Sequence, residues 1–383
     1  MTTSVVICTH LEERTAQLRA CLTSVFAQTL TPDEVVVVVD GDLTLANRLL
    51  ADVPGVIVGC LQRRSGVSAA RNFGAQIASM DIIAFLDDDA TADPEWLGNL
   101  CGALRDKSVI GVSGRSIPCW EESRPVWFPE EFYWTVGCSY KGMPSTPSVV
   151  RNVYGGCAAF RRSEFISLGG FNPARGRHGE DMAGGEEAEF SMRASIRWPD
   201  RAFMFEPSAI IFHHVPRSRS SMSYLLRRCV AEGKAKSAMI RKSTISRNAS
   251  FGTENRFAAA IPQAALRLLW TGVRGNRSAF MPLCGLMVAS TASFVGVMLG
   301  FGKLESKVSV KVTQRPPLPL IPDIYEHRSA ILMATAPNAT NVELQEADLA
   351  DVYSEAAASS LADRDHQRRY AWRLAIRKLE ARK

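Results

Sequence analysis

Short apolar segments alternate with longer amphipathic segments over the first hundred residues of the chain. Residues 4–8 and 35–39 are rich in β-branched side chains, and Ile82-Ile83-Ala84-Phe85-Leu86 is a third run of this kind. Residues 13–28 and 66–79, which lie between these runs, have the pattern of helices. Apolar strands separated by helices predict a mainly parallel sheet with helices on both faces. The expected fold class is therefore α/β.

Polar residues follow each of the three predicted strands. The first strand is followed by Thr9-His10, the second by Asp40-Gly41-Asp42 and the third by Asp87-Asp88-Asp89. In open α/β sheets, ligands bind at the carboxyl edge, where these residues would meet. The sequence therefore predicts a binding site made of these strand ends.

The run Asp87-Asp88-Asp89 indicates a cation site. Three adjacent carboxylates repel one another, so a positive partner is needed to hold them at the end of an apolar strand. Oxygen ligands from Asp87 and Asp89 suit Mg²⁺ or Mn²⁺, which can also bridge a diphosphate. A calcium loop is excluded because its sixth residue would be Ala92, where a glycine is needed. A solvated acidic turn remains the alternative.

Two later segments carry further candidate residues. The pair His213-His214 ends an apolar strand, and either histidine could complete the metal site as a neutral nitrogen ligand, although a structural role is the alternative. Gly185-Glu186-Glu187 stands at a predicted helix start, where a carboxylate can act as a general base. These glutamates could instead only compensate the charge of the helix end, and Glu180-Asp181 is a rival site.

The usual glycine-rich phosphate loops are missing from the sequence. Residues 8–14 follow the first predicted strand and read Cys-Thr-His-Leu-Glu-Glu-Arg, without the G-x-G-x-x-G of dinucleotide-binding enzymes. A P-loop is also absent. Phosphate groups would have to be bound by a metal and by side chains, which argues against dehydrogenases and P-loop kinases.

Residues 113–160 are rich in proline, tryptophan and other aromatic residues and show little periodicity. This composition predicts an insertion that forms one wall of the site, on the side where a second substrate, the acceptor, would bind. An aromatic mini-core that covers a loop explains the same composition, and the two interpretations are compatible.

The C-terminal part of the chain has features typical of membrane association. Nine lysines and arginines but one acid, Glu232, occur between Arg217 and Arg247, which suits a phosphate-rich ligand or an anionic bilayer. Residues 262–274 could form a basic amphipathic helix, and the 25 uncharged residues 278–302 could span a bilayer. Because Pro282 and three glycines interrupt this stretch, an interfacial hairpin and a buried soluble helix remain alternatives.

Overall composition changes this picture only slightly. The net charge of +6 is too small to indicate nucleic-acid binding, and the nine cysteines are scattered like buried thiols of a reducing compartment. Residues 1–30 have no basic start and no long apolar run, which predicts a cytoplasmic N-terminus. We therefore expect a protein on the cytoplasmic face of the cell membrane, bound peripherally or through one hydrophobic segment near 278–302.

Taken in order, six segments resemble those of family-2 glycosyltransferases with the Rossmann-like GT-A fold. Residues 125–131 and 227–236 are similar to a subgroup that includes glucosyl-dolichyl-phosphate glucuronosyltransferases and mycofactocin-type transferases. The chain is thus expected to contain a GT-A domain (1–240), a basic and hydrophobic membrane-associated region (241–304) and a linker with a charged helical tail (305–383). The six segments are Val5–Thr9, Val36–Asp40, Gly66–Asn72, Phe85–Asp89, Gly169–Phe171 and Gly185–Glu187.

The resemblance also implies roles for individual residues. The D-x-D motif of the family, which binds ribose and the metal on the diphosphate, falls on Asp87 and Asp89. Its catalytic base falls on Glu187, with Glu186 as the alternative because the family usually has aspartate at this position. The nucleotide-sugar-binding residues expected from the resemblance and the charge pattern are Thr9, Asp40, Arg71, Asn72, Asp87, Asp88, Arg227 and Arg228, and the metal ligands are Asp87, Asp89 and His213.

These assignments predict an inverting transfer of a sugar from a nucleotide-sugar donor to a lipid-linked or glycan acceptor at a membrane surface. Asp87 and Asp89 would hold Mg²⁺ or Mn²⁺ on the donor diphosphate while Glu187 deprotonates the acceptor hydroxyl. Two alternatives remain open, a metal-dependent nucleotidyltransferase and a non-catalytic membrane scaffold that binds nucleotide sugars. No nucleic-acid partner is expected, and the sequence does not indicate an oligomeric state.

Overall fold

The computed structural model describes residues 1–53, 55–174, 185–242, 252–302, 315–318, 330–334 and 342–346. The strands in these ranges are β1 (Thr3–Thr9), β2 (Glu34–Asp40), β3 (Ile57–Leu61), β4 (Ile82–Asp87), β5 (Ala90–Ala92), β6 (Val109–Trp120), β7 (Ser148–Val150), β8 (Cys157–Arg161), β9 (Ala202–Val215), β10 (Ala330–Ala334) and β11 (Val342–Glu346). The α-helices are α1 (Thr15–Phe26), α2 (Leu43–Asp52), α3 (Val67–Ile77), α4 (Trp96–Ala103), α5 (Arg162–Ser167), α6 (Glu186–Arg197), α7 (Met222–Lys242), α8 (Gly252–Val273) and α9 (Phe280–Gly302).

These strands form one mixed sheet in the order β11-β10-β3-β2-β1-β4-β8-β6-β9-β5, with β7 paired to β9. Strands β3, β2, β1 and β4 are parallel neighbours, whereas β8 is antiparallel to both β4 and β6. The predicted α/β fold is confirmed. The hydrophobic pattern identified β1, β2 and β4 of this parallel part, whereas β3 was not predicted.

Helices cover both faces of the sheet. Successive side chains of a strand point to opposite faces, so a strand buried on both sides is apolar throughout. In β1, Val5 and Ile7 pack on the side of α1, α2 and α4, whereas Val6 packs on the side of α3, α5 and α6. This double burial explains why β1 and β2 appear as continuous apolar runs.

The region 113–160 contains more strand than its sequence suggested. Strand β6 extends to Trp120, but its register against β9 shifts between Gly114 and Arg115. Because such an irregularity changes the phase of the side-chain alternation, the pattern is not recognisable as one strand. Further on, Phe128 and Phe132 are fully buried in a third apolar cluster with α7, α8 and α9, so part of the segment is indeed a mini-core.

Helix α9 is the apolar helix expected near 278–302, and it is continuous. Pro282 lies in its first turn, where the missing N–H breaks no helical hydrogen bond. A Cβ on Gly296 would overlap the carbonyl oxygen of Val230, so this glycine allows α9 to pack closely on α7. The hairpin alternative is therefore wrong. The segment Arg277–Phe301 is long and apolar enough to cross a membrane, and 33% of its most apolar stretch is buried in the protein.

Two short parts of the predicted tail pack on the N-terminal sheet. Strand β10 extends the sheet by pairing in parallel with β3, and β11 pairs with β10. Arg315 donates a hydrogen bond of 2.9 Å to the carbonyl of Phe171, and the N–H of Leu318 donates one of 2.9 Å to Ile166. The sequence did not predict these contacts. Residues 361–383, a charged segment with the pattern of a helix at the end of the predicted tail, lie outside the described residues. The division at 240 and 304 stays a prediction.

Candidate active site

The carboxyl ends of β1, β2 and β4 open into a cavity of about 1230 Å³. Thr9, Asp40 and Asp87-Asp88-Asp89 all line it. The parallel register places Cys8 beside Asp87 and Thr9 beside Val39, so the three strands end at one edge of the sheet. The polar residues that follow the predicted strands thus meet in one place.

Two arginines neutralise much of the charge of the aspartate run. Nη1 of Arg14, just before α1, lies 2.8 Å from Oδ1 of Asp88 and 3.2 Å from Oδ2 of Asp89. On α3, Arg71 donates a hydrogen bond of 2.8 Å to Oδ1 of Asp87. The mutual repulsion of the carboxylates therefore does not by itself require a metal, and the metal site has to be judged from its donor atoms.

Asp87, Asp89 and His213 form a candidate metal centre. One ligand atom from each lies within 4.8 Å of the others, and Nε2 of His213 is 3.4 Å from Oδ1 of Asp89. The pairing of β5 with β9 places Ala90 opposite His213, which brings the histidine to the aspartate run. Two carboxylate oxygens and a nitrogen fit a divalent cation such as Mn²⁺ or Mg²⁺. His214 instead donates its backbone N–H to the carbonyl of Asp89.

Asp88 has different surroundings from its two neighbours. Burial raises the pKa of the Asp88 carboxyl to about 6, although the nearby Arg14 opposes this shift. Asp88 lines the cavity but is not one of the three residues of the candidate metal centre. Its closest charged partner is Arg14, so its evident role is to hold that side chain at the cavity wall.

Helix α6 begins with two glutamates that line the same cavity. Glu187 accepts a hydrogen bond of 3.1 Å from the N–H of Gly155 and lies 3.6 Å from Nη1 of Arg71. Burial raises the pKa of Glu187 to about 7, and the Glu186 carboxylate adds to this shift while Arg71 opposes it. Glu186 accepts the N–H of Gly185 at 3.0 Å and is more buried. Glu187, with its side chain 21% exposed, is the better placed of the two to take up a proton.

Arg71 connects the two acidic groups. Its Nη2 bonds Asp87, while its Nη1 lies 3.8 Å from Glu186 and 3.6 Å from Glu187. Burial lowers the pKa of Arg71, but the surrounding carboxylates, chiefly Asp87, outweigh this effect and hold the pKa above its usual range. A single permanent cation therefore supports both the aspartate strand end and the start of α6.

The pair Gly155-Gly156, just before β8, is a part of the site that the sequence did not reveal. A Cβ on Gly156 would overlap the Asp87 carboxylate, and one on Gly155 would lie 2.6 Å from Oε1 of Glu187 and would also overlap Arg71. Glycine is required here because three charged side chains pack against the backbone. Two consecutive glycines directly before an apolar run were the available signal.

Two residues predicted to bind the nucleotide sugar have partners within the protein. Both oxygens of Asp40 accept backbone N–H groups, from Ser65 at 2.7 Å and from Gly66 at 2.8 Å, which fixes the start of α3. Asn72 is fully buried and exchanges two hydrogen bonds of 2.8 Å with the backbone of Phe171. Asp40 still lines the cavity, whereas Asn72 does not.

The predicted arginine pair on α7 is divided between two environments. Arg228 is buried, lines the cavity and donates from Nε to the carbonyl of Thr135 at 3.3 Å. Arg227 is exposed and is not part of the cavity wall. The structure therefore brings only Arg228 to the other predicted site residues. The rival acidic pair Glu180-Asp181 lies outside the described residues.

Residues 4–169 match the model of glycosyl transferase family 2. The chain is 33% identical over 243 residues to glucosyl-dolichyl phosphate glucuronosyltransferase of Haloferax volcanii, with 62% of this chain and 77% of that protein aligned. It is 30% identical over 149 residues to pre-mycofactocin glycosyltransferase of Mycobacterium tuberculosis, which covers 39% of this chain and 30% of that one.

Among solved structures, the chain is similar to the mannosyltransferase PcManGT from Pyrobaculum calidifontis, solved in complex with GDP-Man and Mn²⁺. The two share 18% identity with a TM-score of 0.48, over 76% of this chain and 86% of that chain.

The chain belongs to glycosyltransferase family 2. The resemblance that was read from six short segments is thereby confirmed, together with its subgroup. The family match ends at residue 169, so α6 with its two glutamates and the C-terminal helices lie beyond it.

Proposed function

We propose that the protein transfers a sugar from a nucleotide-sugar donor to a lipid-linked or glycan acceptor at a membrane surface, with inversion at the anomeric carbon. One observation carries this proposal. The cluster Asp87, Asp89 and His213 and the carboxylate of Glu187 line the same cavity and are joined through Arg71. A transferase needs both a site for the donor diphosphate and a base for the acceptor, and this cavity contains candidates for each.

On the donor side, Asp87, Asp89 and His213 would hold Mg²⁺ or Mn²⁺. When bound, this cation supplies positive charge that stabilises the departing nucleoside diphosphate. Arg71 orients the Asp87 carboxylate through its 2.8 Å hydrogen bond. Thr9 and Asp40 line the wall beyond the aspartates and would contact the nucleoside, which is the role the family resemblance implies.

On the acceptor side, Glu187 would take the proton of the attacking hydroxyl. The acceptor oxygen bonds to the anomeric carbon on one face while the bond to the phosphate oxygen breaks on the other, and the electron pair leaves with the nucleoside diphosphate. One such displacement inverts the configuration. A base with a pKa of about 7 is matched to proton transfer at neutral pH, and the N–H of Gly155 fixes the orientation of the carboxylate.

The C-terminal helices support the proposed membrane location, which we take to be the cytoplasmic face. Helix α8 exposes large apolar side chains at a spacing of three to four residues, which places them on one face. The guanidinium of Arg274 stacks on the ring of Trp270 with 3.4 Å to the centroid. Tryptophan is enriched at membrane–water interfaces. The exposed apolar residues of α8 and α9 include Leu266, Leu269, Trp270, Val273, Met287, Phe294, Val295, Met298 and Leu299.

A thermal-shift screen tests the donor part of this proposal. UDP-, GDP- and dTDP-sugars are added with Mn²⁺, with Mg²⁺ or with EDTA, because a ligand that binds only the folded protein raises the Tm. We expect one nucleotide to stabilise the protein, and only when metal is present. Product analysis with that donor then separates the alternatives, since a nucleotidyltransferase releases pyrophosphate and a scaffold releases nothing. Absence of stabilisation by every donor contradicts the proposal.

A further inference from the structure

The cavity extends well past the sheet edge, into the space between α7, α8 and α9. We call this extension the apolar arm, and its apolar walls are Trp134, Phe257, Ile261, Phe294 and Val297. Ser290 and Ser293 also line it, and their hydroxyls donate to carbonyls of their own helix. The ring of Phe257 packs edge-on against Trp134, with 6.5 Å between centroids, which fixes α8 beside the aromatic segment. Phe294 is 64% exposed, so the arm opens onto the exposed apolar face of α9.

Positive charge lies between the catalytic centre and the apolar arm. Arg228 donates a hydrogen bond from Nε to the carbonyl of Thr135. The turn that follows packs closely on His213, since a Cβ added at Gly137 would lie 3.3 Å from Nε2 of that histidine. Lys236, two turns further along α7, also lines the cavity. Lys236 is 34% exposed and its Nζ lies 3.9 Å from Oε1 of Glu232, which also lines the cavity. A ligand in the arm therefore passes the buried Arg228 and this lysine before it reaches the candidate metal centre.

We propose that the apolar arm binds the hydrocarbon chain of the acceptor and that Arg228 and Lys236 bind a phosphate on that chain, so that the acceptor is a lipid phosphate or a lipid-phosphate-linked sugar. This inference rests on the proposed function and narrows its acceptor from two classes to one. The arrangement is complementary to such a ligand, with apolar walls that meet the bilayer-facing surface at one end and cations next to the active site at the other. A purely polar glycan has no hydrocarbon chain to bury against such walls, so they would add nothing to its affinity.

Photolabelling of the full chain in a neutral detergent tests this proposal. The probe is farnesyl phosphate with a benzophenone at the end of its chain, and the cross-linked peptides are mapped by mass spectrometry. We expect labels on the α8 and α9 segments that contain Phe257, Ile261 and Phe294. Val297→Trp, which fills the arm, should reduce labelling at least about tenfold, since each buried methylene changes affinity by about fourfold. Met298→Trp, at the exposed neighbouring position, is the matched control and should label like the wild type.

Competition experiments identify the part of the ligand that is recognised. Unlabelled farnesyl phosphate should compete at about tenfold lower concentration than farnesol, because one charge-assisted hydrogen bond to the phosphate is lost in the alcohol. Lys236→Gln should reduce this advantage, and inorganic phosphate alone should not compete at the same concentration. Equal competition by farnesol, full competition by maltotriose, or unchanged labelling of Val297→Trp would overturn the inference.

The same variants separate this inference from the proposed function. Stabilisation by donor and Mn²⁺ depends on the sheet edge and not on the arm, so Val297→Trp should retain it. Donor stabilisation together with labelling outside the arm contradicts only the lipid-phosphate inference. If donor and Mn²⁺ do not raise the Tm of the wild-type protein, the proposed function itself is contradicted.

Discussion

Arg71 donates a hydrogen bond of 2.8 Å to the carboxylate of Asp87 inside the cavity. The other terminal nitrogen of the same guanidinium faces Glu187 at 3.6 Å. The planar, permanently charged guanidinium can serve two carboxylates in different directions, which the point charge of a lysine cannot do equally well. The donor site and the proposed base are therefore not independent, and a change on one side is expected to alter the charge state of the other.

Replacement of the base gives the first prediction. Glu187→Gln keeps the size of the side chain and the bond to Gly155 but cannot take up a proton, so kcat should fall by about 10²- to 10⁴-fold. Glu186→Gln is the matched control on the preceding residue and should lose much less. Both rates are measured with the donor found by the thermal-shift screen, and donor stabilisation should persist in both variants. A Glu187→Gln enzyme with normal kcat would exclude this residue as the base.

The pH dependence follows from the raised pKa of Glu187. Catalysis needs the ionised carboxylate, so kcat/KM should rise with pH and level off above about 7. The contribution of Glu187 to the free energy of unfolding has the opposite pH dependence, because the folded protein favours the neutral form of this carboxyl group. That contribution is complete below the ordinary value of 4.5 and is lost as the pH rises through about 7.

A pH-rate profile with Glu187→Asp as comparison checks this prediction. The shorter acid should retain a rising limb, whereas the residual activity of Glu187→Gln should lack it. An identical limb in the glutamine variant would assign the titration to another group.

The close contact at Gly156 gives a structural prediction. In Gly156→Ala the new methyl group would overlap the Asp87 carboxylate, so the strand end must shift, at a cost of about 1–3 kcal/mol in the free energy of unfolding. The catalytic rate should fall by more than this loss of stability explains, because Asp87 is displaced from Asp89 and His213. Gly102→Ala on α4 is the control, since its methyl group would meet nothing within 4 Å. It should instead stabilise the helix by about 0.5–1 kcal/mol.

The exposed face of α8 gives a prediction on membrane binding. Trp270→Glu combined with Val273→Glu places two charges on side chains that are 58% and 73% exposed. Co-sedimentation with anionic vesicles should decrease at least about tenfold, because both apolar contact and attraction to the lipid headgroups are lost. Val149→Glu, at a similarly exposed valine on β7, should sediment like the wild type. Equal sedimentation of all three proteins contradicts membrane binding through this face.

The parts of the site that could be predicted from sequence are those fixed by local pattern. Strand ends are visible because an apolar run stops at polar residues, and parallel strands then bring these ends together. The antiparallel strand β8 and its two glycines were missed because their pairing depends on a long connection after β6. The contact of Arg14 with Asp88, 74 residues away, likewise has no local signal.

The direction of individual side chains also could not be predicted from the sequence. Arg71 and Asn72 belong to one motif, but consecutive residues on a helix point about 100° apart. Arg71 therefore enters the cavity while Asn72 holds the backbone of Phe171. The same geometry separates Arg228 from the exposed Arg227 on α7. A motif located the segment in each case, and only packing decided which of its residues reaches the site.

Release of the nucleoside diphosphate by wild-type protein and by Asp89→Ala tests the central claim most directly. With Mn²⁺, the donor selected in the screen and a lipid-phosphate acceptor, the wild type should release nucleoside diphosphate and form a product of inverted anomeric configuration. Asp89→Ala should lose at least about 100-fold of this metal-dependent rate, since several kcal/mol of stabilisation depend on the cation. Full metal-dependent release by Asp89→Ala, or release of pyrophosphate by the wild type, would contradict it.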